Sequence, residues 1–546
     1  MNKFAGMTYA QAVAYMAQAY GDNEALIYRN QRWTFRDAKQ MIDRASGRLA
    51  TLGLPAGSSI SIWLPNRPEY LWYLLGAAQM GLVPVILNTR LREEEFAYQL
   101  KQSDSRAVIV PGDGAFRDFL GDLAELCPEL RQKPTGALQT RALPELRAVI
   151  ALDAYDHAKL PSVHNWSDGL TRDWQLPAMA TDPDQPALIS YSSGTTALPK
   201  GAMITHCVWR KAWDIGTPID LTAQDCFYLA IPMFGSMASM NGVYPFWIRG
   251  ACVVLADRFD AEQAMADWQR YRCTTTHLLP PMITALIDHP RRGDYDLSSV
   301  RVGLVLSNDA DMLRKVPEKL AIPGMLTGYG LTETTTVLTR NRWDDPLELR
   351  VATQGKPLPD VEIRIVDPQT GETLQAGQSG EIWARSYCVM AGYYNKPVET
   401  QKAIDAEGWF HTGDQGFLSE EGHLSFEGRI GDGYKTKGFN VSPAEIETVL
   451  RKHPAVANAA CVGLPHSELG DMGVAFVVVQ PNAKTTAAEL LAFARQNLAS
   501  FKVPQHVIFV DGFPLTSGTE KIQKFRLREM AAETYGVELK RGGARR

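Results

Sequence analysis

The stretch that most constrains this chain is Tyr191-Ser192-Ser193-Gly194-Thr195-Thr196-Ala197-Leu198-Pro199-Lys200, followed by Gly201. Four aliphatic hydroxyls, a glycine and a lysine in one short run cannot continue a buried element, so the chain must turn here. The apolar run Pro186–Ser190 before it reads as a buried strand. The run Ala202–His206 after it leads into a helical-looking stretch. A strand running into a hydroxyl-rich loop that ends in lysine suits a polyphosphate. Backbone N–H groups and hydroxyls donate to the phosphate oxygens, and the ammonium adds charge. The Gly-Lys-Ser/Thr ending of the Walker loop is absent. On composition alone, a serine- and threonine-rich surface turn stays open.

A chain of 546 residues is too long for one core and implies two or more domains. Net charge is −5, from 56 basic and 61 acidic residues, so no basic field speaks for nucleic acid. The seven cysteines are widely scattered and show no Cys-x-x-Cys pair. Buried free thiols in a reducing compartment fit better than disulfides or zinc. Residues 1–6 lack a signal h-region and no window approaches a spanning helix. The expectation is a cytoplasmic protein without a transmembrane segment.

The first part alternates. Ala10–Tyr20, Phe35–Leu52 and Tyr70–Met80 read as helices. Ser59–Trp63, Val83–Leu87 and Ala107–Val110 read as strands. Cys226–Ile231, Ala251–Leu255 and Val302–Leu306 are further candidate strands. This is the α/β rhythm of mostly parallel, helix-covered sheets. Val361–Val366, Gly380–Ala384 and His423–Phe426 are short and glycine-punctuated, which predicts a small antiparallel β unit. Gly431-Asp432-Gly433 suits a hinge or a plain turn. Beyond it, Ala444–His453 and Ala487–Leu498 read as helices and Val474–Val479 as a strand, giving a smaller α+β domain.

Further motifs follow in order: Gly328-Tyr329-Gly330-Leu331-Thr332-Glu333-Thr334, Trp409-Phe410-His411-Thr412-Gly413-Asp414, Gly428-Arg429-Ile430-Gly431-Asp432, Gly438-Phe439-Asn440-Val441-Ser442-Pro443-Ala444-Glu445-Ile446-Glu447 and Lys521-Ile522-Gln523-Lys524. With the hydroxyl loop, this series resembles the adenylate-forming (AMP-binding) superfamily, in its acyl-CoA synthetase and fatty-acid–CoA ligase branch. Looser likeness reaches Trp33-Thr34-Phe35-Arg36 and Leu64-Pro65-Asn66, so the whole chain is covered.

The resemblance implies an N-terminal AMP-binding domain over residues 1–431 and a mobile C-terminal lid over 432–546, pivoting at Asp432. It implies ATP, magnesium and CoA, with a small-molecule carboxylic acid as substrate; a homodimer is left open. The acid attacks the α-phosphate to give an acyl-adenylate and pyrophosphate, and a thiol then takes the acyl group and releases AMP. Two like charges at ~4 Å repel by ~4 kcal/mol at an effective dielectric near ~20, so the site must supply cations and donors.

The roles it implies are these. Ser192, Ser193, Gly194, Thr195, Thr196 and Lys200 hold the phosphates, with Thr195 and Lys200 aiding departure of pyrophosphate. Gly328, Tyr329 and Gly330 border the adenine, Thr332 donates to the α-phosphate, and Glu333 binds magnesium. Asp414 accepts from the ribose hydroxyls and Arg429 contacts ribose or phosphate. Lys521 bridges the acid and the α-phosphate, with Lys524 as the competing lysine. Lys437 and Gly438 line the path of the pantetheine arm. Three features depart from the family: Ala197 and Glu520 stand where glycine is usual, and Ser307-Asn308-Asp309-Ala310 replaces a glycine-rich segment.

Pro232–Met240 falls where the family lines its acyl pocket. Amino-acid-activating members carry an aspartate at the place of Gly235, and an ammonium without that partner is costly to bury. Met233, Met237 and Met240 offer a pliable apolar lining, or are plain core. The reading is an ATP-dependent carboxylic acid–CoA ligase. The alternatives are an enzyme that loads a carrier protein, a luciferase-like oxidation, and a lapsed homologue that only binds ligand.

Overall fold

The computed structural model describes residues 3–132, 136, 138–170, 182–192, 199–307, 309–430, 432–436, 439–441, 443–466, 469–515, 522–537 and 539. Compactness divides the chain into two units. One comprises Met1–Ser192, Pro199–Glu362 and Arg385–Phe410; the other comprises Ile363–Ala384 and the described residues from His411 on.

The first unit is built on two large sheets. In one, the strands run in the order Gly392–Tyr393, Lys200–Thr205, Pro186–Ser192, Val83–Ile86, Ser59–Ile62, Ala107–Val110, Ala148–Ala151, Val163–Asn165. From Pro186–Ser192 onward neighbours are parallel. Both faces of this sheet are buried. Ala107, Ile109 and Ile150 face one apolar core, and Val108, Val110 and Val149 face another. That is why these strands read as unbroken apolar runs.

The other sheet runs Gly324–Leu326, Val302–Val305, Thr275–Leu278, Cys226–Leu229, Cys252–Leu255, Glu24–Tyr28, Gln31–Thr34. It is parallel up to its last, antiparallel pair. Parallel neighbours start at one edge, so Cys226 lies opposite Cys252, and the Cys226 and Cys273 sulfurs are 3.8 Å apart. Three of the scattered cysteines thus meet, and all seven are free thiols.

Helices Tyr9–Tyr20 and Phe35–Ala50 open with capping boxes on Thr8 and Thr34, and Pro68–Gln79 opens on its proline. The sequence expectation of an alternating, helix-covered α/β domain therefore holds. The run Ala202–His206 leads into a helix, as expected, and carries an element of its own. Lys200–Thr205 is a strand antiparallel to Pro186–Ser192, and the helix begins only at Val208. Ser192 and Lys200 are the outermost pair of this hairpin.

Strands Val361–Val366, Gly380–Ser386, Phe410–Leu418 and Leu424–Arg429 form the small sheet, most of whose residues belong to the second unit. Strand Phe410–Leu418 goes beyond the sequence reading. A further sheet combines Phe439–Val441, Tyr434–Thr436, Gly470–Val479 and Val456–His466, with His506–Phe509 beside Gly470–Val479. Alternate residues bury its two faces, Ala475 and Val477 in one core, Val474 and Phe476 in the other. Helices Pro443–Arg451, Ala487–Asn497 and Lys524–Tyr535 complete the predicted α+β part. No helix among the described residues is long and apolar enough to cross a membrane.

His206 ties the first unit together, accepting the Tyr9 backbone N–H on Nδ1 at 3.1 Å. Burial pulls its pKa from the ordinary 6.5 down to about 4, against a weak opposing pull from Asp182. The folded chain therefore refuses a proton that the unfolded chain accepts. Stability present above pH 6.5 is lost as pH falls toward 4, by about 3 kcal/mol from this residue. Urea midpoints measured across that window should fall in the native chain and fall less in His206→Gln.

Candidate active site

Ser192 pairs across the hairpin with Lys200, and its hydroxyl donates to the Lys200 carbonyl at 3.4 Å. Lys200 then crosses to the neighbouring strand, where its Nζ lies 4.2 Å from the ring centroid of Tyr393. The Tyr393 hydroxyl donates to Glu333 Oε1 at 2.9 Å. A cation, an aromatic face and a buried carboxylate thus form a chain linking Lys200 to Glu333. Tyr393 carries no motif around it, so sequence reasoning passed it over.

Glu333 sits in the tight turn Thr332–Thr334, between the antiparallel strands Gly328–Leu331 and Thr336–Arg340. The hairpin needs its glycines. A Cβ on Gly330 would lie 1.7 Å from the Thr336 carbonyl oxygen, and one on Gly328 2.8 Å from that of Thr339. Tyr329 is buried opposite Thr339. Beyond Glu333 the backbone is strained: Thr335 and Thr336 have φ of +50° and +71°, a region β-branched residues avoid at a cost of about 1–3 kcal/mol each. The Thr335 hydroxyl donates to the Cys388 carbonyl at 2.8 Å, and the Met390 N–H donates to the Glu333 carbonyl at 2.7 Å. The segment that carries Tyr393 therefore also clamps the turn. Strain of this kind is held in place at functional sites.

Asp309, in the segment that departs from the family's glycines, accepts from the N–H groups of Asp311 and Met312. It caps helix Ala310–Leu320, a structural reason for a polar residue there. Asn66 is another residue the sequence reading left without a role. Its side chain donates to the Ile231 and Ala256 carbonyls at 3.1 and 3.0 Å and accepts the Met233 N–H at 2.7 Å. It thereby fixes the start of Pro232–Met240. Met233 and Met240 are buried, and Met237 is half-buried.

In the second unit, Asp414 faces Arg429 across the strands Phe410–Leu418 and Leu424–Arg429, with Arg429 Nε 2.9 Å from Asp414 Oδ1. Gly413 has φ +68°, and its N–H donates to Glu381. The Asp414 N–H donates to the Thr412 hydroxyl, which itself donates to the Ile382 carbonyl. A buried carboxylate is thus presented by a fully bonded turn. Lys524, the competing catalytic lysine, is 2.7 Å from Glu447 Oε1, which also accepts the Cys461 N–H. Burial pulls the Lys524 pKa down, but Glu447 and then Asp432 outweigh it and hold it above the ordinary lysine value. Ser193, Gly194, Thr195, Thr196, Lys437, Gly438 and Lys521 lie outside the described residues.

This fold, with its carboxylate turn and hydroxyl-flanked hairpin, defines an adenylate-forming enzyme. The chain belongs to the AMP-binding enzyme family, in its acyl-CoA synthetase branch: residues 13–394 match the AMP-binding enzyme model and residues 445–519 its C-terminal domain model. It is 32% identical to YngI of Bacillus subtilis (strain 168), itself provisionally called an acyl-CoA synthetase, over 95% of this chain and 96% of that one. It is 31% identical to the mitochondrial medium-chain acyl-CoA ligase ACSF2 of Mus musculus, over 94% and 86%. Among solved structures, ATP-bound MatB from Rhodopseudomonas palustris superposes with a TM-score of 0.84 at 25% identity, over 97% of this chain and 100% of that one.

Tyr393→Phe keeps the ring beneath Lys200 and deletes the donor to Glu333. Leaving a buried carboxylate short of one donor costs about 1–3 kcal/mol, which urea denaturation of the variant should show. An unchanged midpoint would mean that Glu333 is satisfied without Tyr393.

Proposed function

We propose that the chain is an ATP-dependent carboxylic acid–CoA ligase that works through an acyl-adenylate. The observation that carries this is the Lys200–Tyr393–Glu333 chain, in a protein that matches YngI along almost its full length. Glu333 is a hard oxygen ligand, and its type and place suit magnesium. When bound, the ion would neutralise charge on the phosphates. Lys200 supplies a cation beside it, and the ring of Tyr393 restricts where that cation points. Asp414 accepts from the ribose hydroxyls, with Arg429 beside it.

Lys521 is the lysine that joins acid and α-phosphate. The Glu447 pair supports this choice, since it occupies the rival Lys524 in a structural role. After adenylation, a pivot at Asp432 brings Lys437 and Gly438 to the thiol step. Gly235 in place of a carboxylate favours acids without an α-ammonium, and the name of ACSF2 favours an acid of medium length. Fatty acid metabolism in the cytoplasm is the setting this reading suggests.

Pyrophosphate release, measured with ATP, magnesium and acids of several classes with and without CoA, tests the function. Release that requires a particular acid and accelerates with CoA is expected; release indifferent to CoA would favour a carrier protein as acceptor. The lysines separate by variant. Lys521→Ala should lose adenylation and keep its unfolding midpoint. Lys524→Met should keep adenylation and lose about 3–5 kcal/mol of stability, because Glu447 is left buried without its cation. The opposite pattern would exchange their roles.

A further inference from the structure

Three thiols far apart in sequence meet at one edge of the second large sheet. Cys226 and Cys252 open neighbouring parallel strands in register, and Cys273 stands just ahead of Thr275–Leu278, the strand on the other side of Cys226. The backbones are tied together there. The Cys252 N–H donates to the Asp225 carbonyl at 3.1 Å, and the Thr274 N–H donates to the Cys226 carbonyl at 2.8 Å. The Thr274 hydroxyl accepts the Cys226 N–H at 3.0 Å and donates to Asp225 at 2.7 Å. Held in this way, the Cys226 and Cys273 sulfurs are 3.8 Å apart. Phe227 pairs with Thr275, so Cys273 is one residue off register from Cys226. Neighbouring strands lie about 4.8 Å apart, within the Cα separations of about 4.4–6.8 Å that disulfides span.

The three thiols are not equivalent. Cys252 is half-buried, Cys226 keeps 8% of its surface exposed and Cys273 keeps none. Of the close pair, Cys226 is therefore the thiol a small solute reaches. Hydrogen bonds from Cys252 and then Cys273 hold the Cys226 thiol well below the ordinary cysteine value, against the opposing pull of burial. The same contacts hold Cys252 and Cys273 above it. One thiol of the three thus gives up its proton and two keep theirs. Elsewhere burial leads, and it pushes Cys127 and Cys207 up to about 11 and Cys461 up to about 12. Thiols of that kind stay protonated and inert. No three His, Cys, Asp or Glu side chains among the described residues are placed to hold a metal ion, so the chemistry of this cluster is that of its sulfurs.

We propose that Cys226 and Cys273 form a reversible disulfide when the chain meets a peroxide, with Cys226 as the attacking thiolate, Cys273 as the resolving thiol and Cys252 as the donor that steadies the thiolate. The Cys226 sulfur attacks one peroxide oxygen and the O–O bond breaks. Cys226 becomes a sulfenic acid, and the departing hydroxide takes up the proton that Cys226 released. The Cys273 sulfur then attacks the Cys226 sulfur. The S–S bond forms, the S–O bond breaks, and the oxygen leaves as water with the Cys273 proton. Two thiols are oxidised to one disulfide and one peroxide is reduced to two waters. The site lies at the opposite end of the strand Cys226–Leu229 from Pro232–Met240 and does not rest on the ligase reading.

The test treats the full, reduced chain with a small excess of hydrogen peroxide, quenches it with iodoacetamide in denaturant and reads the peptides by mass spectrometry. The expected product is a Cys226–Cys273 linked pair, formed while Cys127 and Cys461 remain open to alkylation, and lost on adding dithiothreitol. Cys273→Ser should leave Cys226 as a sulfenic acid that dimedone traps, and Cys252→Ala should slow the linkage about tenfold. A native chain that stays unlinked, whether Cys226 is untouched or carried on to the sulfinic acid, overturns the assignment. So does a link from Cys226 to Cys252 instead, or oxidation of Cys127 and Cys461 as fast as Cys226. The native chain decides even if the variants do not fold.

Discussion

A carboxylate cannot be buried without donors of its own. Glu333 meets that constraint, and much of the first unit is arranged around it. The hairpin that presents it is tight enough to require glycine at 330 and to hold Thr335 and Thr336 at positive φ. The segment Cys388–Tyr393 returns to clamp that hairpin through two backbone groups and one phenol. The same phenol ring then lies against the lysine that ends the hydroxyl loop. One aromatic residue so couples a buried carboxylate to a lysine.

The second unit solves the same problem for Asp414 in another way. There the carboxylate lies directly across a strand pair from its cation, and the backbone around it is bonded through Thr412, Gly413 and Glu381. Lys524 and Glu447 show a third solution, a buried pair braced by a backbone N–H. Arg340 stands apart from all three, since its side chain donates to two neutral oxygens, the Ile215 carbonyl and Asn241 Oδ1.

Much of the architecture was legible because parallel strands buried on both faces leave unbroken apolar runs, as at Ala107–Val110 and Val302–Val305. Strand Phe410–Leu418 was not legible as a strand, and its burial shows why. Its inward face carries Phe410, Thr412, Asp414 and Gly416, so function displaced the apolar half of the alternation. Lys200–Thr205 was hidden for a similar reason, opening on a lysine and a glycine. The motif residues Glu333, Asp414 and Arg429 were visible in sequence because their spacing is a family resemblance. Tyr393, Asn66 and Arg340 were not, because each acts on a residue far away in the chain: Glu333, Met233 and Asn241 respectively.

The central claim is that the carboxylate of the substrate attacks the α-phosphate of ATP before any thiol enters. The most direct measurement follows oxygen-18 from a labelled carboxylic acid during one turnover with ATP and CoA. The account predicts one labelled oxygen in the phosphate of the released AMP, carried there through the acyl-adenylate and left behind when the thiol takes the acyl carbon. Label found in inorganic phosphate, or AMP released without label, would contradict it.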